Sequence, residues 1–110
     1  MKQKGTKIYN SYVRHYCDAR YLYESELEKI DKCNEKINKA NKKFNLLDTC
    51  DEDIMLWYHT YIQIIETTLS YAETHAKQDK KTMEIIGETL ENEYGENLNE
   101  LYLNNKYFFS

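Results

Sequence analysis

Between Ile54 and Ala76, apolar residues recur on two adjacent helical tracks. Met55, Tyr58, Ile62, Ile65, Leu69, Ala72 and Ala76 follow alternating steps of three and four, and Ile54, Trp57, Tyr61, Ile64, Tyr71 and His75 follow a second track one residue earlier. Neighbouring tracks lie about 100° apart on a helix, so about half of this cylinder avoids water. One partner helix cannot cover that much surface. The pattern therefore predicts a central helix flanked by two others, or one covered on one side by its own chain and on the other by a second protein.

Upstream, a first helix is predicted over about 6–47. Tyr9, Val13, Tyr16, Tyr23, Leu27, Ile30, Ile37 and Phe44 take heptad a and d positions, widened on one flank by Tyr12, Ala19, Cys33, Ala40 and Leu47. So wide a stripe suits a bundle better than a two-stranded zipper. The same frame puts Arg20, Asn34 and Asn41 at a positions, at the solvated margin of the core.

The period is lost from Asn45 to Asp53. Thr49 with Glu52 reads as a capping box, and Asp48, Asp51 and Asp53 add negative charge near the start of a second helix over about 50–77. The short loop makes helices one and two antiparallel neighbours. Gln78, Asp79, Lys80 and Lys81 then interrupt both tracks, so a third helix is predicted over about 80–94, with a single helix running through as the alternative. Met83, Ile86, Leu90 and Tyr94 share one face of it, and Gly95 is placed to end it in a left-handed conformation. A short last helix, about 96–104, would bury Leu98, Leu101 and Tyr102, and the apolar tail Tyr107, Phe108 and Phe109 would fold back or dock on a neighbour. The predicted fold is all-α: one domain over 1–110, an antiparallel three-to-four-helix bundle with a long N-terminal helix and a buried central helix.

Composition agrees with helices. The 110 residues include no proline and three glycines, too little punctuation for an all-β or loop-rich fold. The hydrophobic fraction of 41% includes 11 tyrosines, so tyrosine must serve as core material, with rings at helix seams and hydroxyls reaching a partner or water. A core this modest gains from self-association, and a homodimer is predicted. Cys17, Cys33 and Cys50 are odd in number and irregularly spaced, a poor disulfide framework. No signal-peptide core or membrane-length apolar run occurs, which leads to the expectation of a reduced, soluble, cytoplasmic protein without membrane contact.

The net charge of −4 hides a polarised chain. Residues 1–20 carry five basic side chains against one acidic, and residues 29–43 carry six lysines against two acidic residues, each a net of +4. Residues 84–100 hold six glutamates and no cation.

No motif for catalysis or for a cofactor emerges. His15, His59, His75 and the three cysteines lack the paired spacing of a metal site, and no Glu-x-x-His accompanies Glu66 and Glu73 to make a di-metal centre. The chain is therefore expected to be a binding protein without metal or cofactor. Contacts are predicted at the aromatic track Trp57, Tyr61, Ile64 and Tyr71 and at the carboxylate row Glu84, Glu88 and Glu91, suited to a basic protein partner. By analogy, such a small acidic helical protein would suit an inhibitor from a mobile element that captures a nucleic-acid-binding protein. The alternative is a nucleic-acid-binding regulator using the basic, aromatic N-terminal segment, with Lys7, Arg14, Arg20 and Tyr21 as contacts. Most tyrosines there turn toward the seam, leaving Ile8, Tyr21 and Leu22 as a small outward patch beside Arg14.

Overall fold

The computed structural model describes residues 1–46 and 51–105. Among them the regular structure is entirely helical: α1 (Lys7–Leu46), α2 (Glu52–Tyr94) and α3 (Leu98–Asn105). Each start is capped by a side chain that accepts hydrogen bonds from otherwise unpaired N–H groups. Thr6 Oγ1 accepts from Tyr9 N–H at 3.1 Å, Asp51 Oδ1 from Asp53 N–H at 2.9 Å and Ile54 N–H at 3.4 Å, and Asn97 Oδ1 from Glu100 N–H at 3.2 Å. Asp51 thus does the capping expected of Thr49, which lies outside the described residues, as does the tail Tyr107, Phe108 and Phe109.

The interruption predicted at residues 78–81 does not occur, because α2 is continuous from Glu52 to Tyr94. Lys and Gln favour helix and no Gly or Pro intervenes, so polar residues on the stripe change what the helix packs against without ending it. Gly95 ends it instead: its φ is +66°, its N–H donates to Glu91 C=O at 3.1 Å, and the next N–H, of Glu96, donates to Leu90 C=O at 3.1 Å, so two late carbonyls of the helix are satisfied.

The chain forms two compact units, Met1–Ser25 with Ala76–Ser110, and Glu26–His75. In the first, Tyr16, Cys17, Leu90, Tyr94, Leu101 and Tyr102 are buried together, with Tyr9, Tyr12, Val13, Met83, Ile86 and Leu98 packed around them. Tyrosine is core material with satisfied hydroxyls, as its composition requires. Tyr9 OH donates to Glu96 Oε1 at 2.6 Å, Tyr102 OH donates to Glu24 Oε2 at 3.2 Å, and Tyr16 OH accepts from Arg20 at 3.0 Å. Tyr9 also packs its ring against Tyr94 at 5.1 Å between centroids. Gly87 makes room for the side chains packed on it, since a Cβ there would lie 3.0 Å from Leu98 Cδ1 and 3.3 Å from Tyr16 Cε2. The N-terminal segment is tied down by Lys2, whose N–H donates to Glu93 C=O at 2.8 Å and whose Nζ pairs with Glu93 at 3.0 Å, and by Lys4, paired with Glu96 at 2.9 Å.

In the second unit, one stretch of α1 faces one stretch of α2 in the opposite direction. Phe44 stacks on Tyr58 at 4.1 Å between centroids, Tyr58 OH donates to Asn41 Oδ1, and Glu26 at the other end approaches His75 Nδ1 at 3.8 Å. Cys33, Ile65 and Ala72 are buried between them, with Ile30, Ile37, Ile62 and Leu69 half-buried. Two departures from the predicted seam appear here. Leu27 is 40% exposed while Glu26, one residue earlier and in heptad step with Ala19 and Cys33, is buried in its place. The buried central helix is also not found. Trp57, Ile64 and Tyr71 remain 65%, 63% and 68% exposed, because a two-helix unit covers only one of the two tracks.

Candidate functional site

The exposed track of α2 borders a row of cations on α1. Lys29, Lys32, Lys36, Lys39 and Lys43 are spaced by three, four, three and four, and so form one straight stripe on α1; all five are exposed. Trp57, Tyr61, Ile64, Tyr71 and His75 form the corresponding stripe on α2. Two open cavities show that both stripes lie on the same side of the helix pair. One, of about 190 Å³, is lined by Lys36, Lys39 and Lys43 together with Trp57 and Tyr61, over half-buried Ala40, Phe44, Ile54 and Tyr58. The other, of about 230 Å³, places Lys29 with Tyr71, His75, Thr68, Ala72 and Glu26.

Trp57 and Tyr61, one helical turn apart, stack with centroids at 5.5 Å and planes 11° apart. None of the five lysines forms an ion pair with a described residue. On α2, Glu66 and Glu73 each follow an exposed stripe residue by two positions, a turn of about 200° that takes them off this face, whereas Asp53 stands one turn before Trp57 and Glu26 lines the second cavity. On α1, Glu28 and Glu35 stand four residues before Lys32 and Lys39, so carboxylates border the lysine row along one edge. A single side of this unit combines flat apolar rings with a row of lysines that make no ion pair among the described residues.

The other predicted residues are distributed differently. Glu84, Glu88 and Glu91 are exposed on α2 in the first unit, where they border a groove with Tyr16, Gly87 and Leu98. They do not share a unit with the aromatic track. Their neighbours Glu93 and Glu96 are paired with Lys2 and Lys4, and the Glu96 carboxyl is held below its usual range by the Tyr9 hydroxyl first and Lys4 second. Lys7 and Arg14 are exposed, seven residues apart on one face of α1. Arg20 turns elsewhere and is engaged internally. It donates to Tyr16 OH and to Asn99 Oδ1, both at 3.0 Å, pairs with Glu24, and lies 4.4 Å over the Tyr102 ring. Tyr21 is 38% exposed. Lys7, Arg14 and Tyr21 thus share, at seven-residue spacing, one exposed face of α1, and Arg20 alone leaves it.

Among the described residues, no three His, Cys, Asp or Glu side chains gather as metal ligands would. Cys17 is fully enclosed, and burial, followed by the charge of Asp18, pushes its thiol up to about 11, so it is a poor nucleophile at neutral pH. The lysine row was missed by reading charge as a sum over residues 29–43; the alternating spacing of the lysines was the signal that it forms a face. No helix among the described residues is long and apolar enough to cross a membrane. Compared with protein-family models, curated proteins and solved structures, the chain matches none.

Proposed function

We propose that this chain is a binding module, without catalysis of its own, that takes an anionic partner on the lysine and aromatic face of Glu26–His75. The observation that carries this reading is Trp57, 65% exposed in a cavity walled by Lys36, Lys39 and Lys43. A large ring left in water beside these cations has both an apolar contact and a charge to offer, and Trp and Tyr are the side chains that most often anchor interfaces. The partner's sign is thus opposite to the one the acidic row suggests. Capture of a basic protein, including the inhibitor role, rests on Glu84, Glu88 and Glu91 alone and takes second place. A homodimer would compete for the same aromatic stripe.

Heparin, a polyanion without bases, tests the face by charge alone. At low ionic strength the protein is expected to be retained on a heparin column despite its net charge of −4, and to elute as salt screens the row. The variant Lys36→Glu, Lys39→Glu, Lys43→Glu should pass through. The charge-matched control Lys7→Glu, Arg14→Glu, Lys80→Glu should still be held. Equal retention of the two variants, or flow-through of the unaltered protein, overturns the reading.

A further inference from the structure

We infer that the occupant of this face is single-stranded nucleic acid, its phosphates following the lysine row and its bases stacking on the aromatic row; this rests on the anionic-partner reading above. Two parallel rows require an occupant with two repeating chemistries side by side, one anionic and one flat and apolar. A nucleic-acid strand has both in every nucleotide. An acidic peptide would satisfy the lysines and leave Trp57, Tyr61 and Tyr71 without planar partners. A duplex would offer its phosphates but keep its base faces stacked inside, so the rings would again be idle.

Dimensions agree. From Lys29 to Lys43 the row spans fourteen residues of helix, about 21 Å, enough to follow several nucleotides of an extended strand. The near-parallel Trp57 and Tyr61 rings already form a two-member stack, in which Trp57 is exposed and available to a base while Tyr61 is half-buried. Ile64 lies between them and Tyr71, giving apolar contact without a ring-specific demand, so the surface is suited to tolerate any base sequence. The site differs from the N-terminal basic segment, where Arg20 is engaged internally and Lys2 and Lys4 are paired with glutamates.

The single tryptophan reports on the site directly. Titration of the full chain with oligothymidylate or oligouridylate of about ten nucleotides should quench Trp57 fluorescence, and a duplex of the same length should bind at least about tenfold more weakly. For five lysines the logarithm of affinity should fall with the logarithm of salt at a slope of about −3.5, a loss of about 100-fold between 50 and 200 mM. Lys36→Gln, Lys39→Gln, Lys43→Gln should reduce that slope to about −1.4. Followed by the anisotropy of a labelled strand, Trp57→Ala should weaken binding about tenfold and Trp57→Phe should restore most of it. All these side chains are solvent-exposed, so helical circular dichroism should be unchanged. Either strand chemistry supports the inference, and the two arms tell which is preferred. Retention on heparin with no binding of either strand overturns it while leaving the anionic-partner reading intact. Equal affinity for duplex, equal quenching by polyglutamate, an unchanged slope in the lysine variant, or a dimer that shields Trp57 with no strand present each overturn it as well.

Discussion

Tyr9 and Tyr102 hold their protons more tightly than free phenols do. Both are pushed up to about 12, by burial first and then by the carboxylates they meet, Glu96 for Tyr9 and Glu24 for Tyr102. Above pH 10 the unfolded phenols release protons that the folded ones retain, so the unfolded state binds fewer protons and stability falls as pH rises. The contribution is complete below about pH 10 and is lost between about 10 and 12. Glu96 acts at the opposite end. Its lowered value gives stability that is present above the usual carboxylate range and is lost as pH falls through it. Tyr9→Phe should therefore weaken the fold by about 1 kcal/mol at neutral pH, and should soften both the acid and alkaline limbs of a stability profile measured by urea unfolding. An unchanged acid limb would show that Glu96 is held by Lys4 alone. That tyrosines must be core with satisfied hydroxyls was legible from their number. Their partners were not, since Glu24 and Glu96 lie 78 and 87 residues away in sequence.

Helix ends were legible where a backbone or side-chain device marks them, and illegible where only hydrophobicity changes. Gly95 was recognisable because few other residues adopt a φ of +66° without strain. The polar run Gln78 to Lys81 carries no such device, and α2 passes through it. At the start of α2 the signal was crowded, with Asp48, Thr49, Asp51 and Asp53 all plausible caps. Asp48 and Thr49 lie outside the described residues; of the other two, Asp51 is the one that accepts from N–H groups of the first turn. Asp51→Ala should cost about 1 kcal/mol in urea unfolding, and Asp51→Asn only a few tenths. A loss as large for Asn as for Ala would mean that charge near the helix dipole matters more than the hydrogen bonds.

Across the whole molecule, amphipathic pattern led to the all-helical class of structure, but not to what lies beside the second apolar track of α2. Trp57, Tyr61, Ile64 and Tyr71 were visible as an excess of apolar surface on one helix. Their neighbours come from α1, and only the pairing of Phe44 with Tyr58 and of Glu26 with His75 sets the register that puts the lysines there. Linear charge also misled. The glutamates of residues 84–100 look like one acidic field, yet two of them are matched by Lys2 and Lys4 from the far end of the chain.

Among the described residues each unit encloses one thiol, Cys17 in the first and Cys33 in the second, exposed by 1% and 7%. Neither can meet an alkylating reagent until the helices around it separate. The two modification rates, resolved by peptide mass, are therefore independent clocks for local opening. If one thiol reacts faster than the other under native conditions, the chain does not open as one cooperative piece, and the slower clock marks the part that would fold first and anchor the rest.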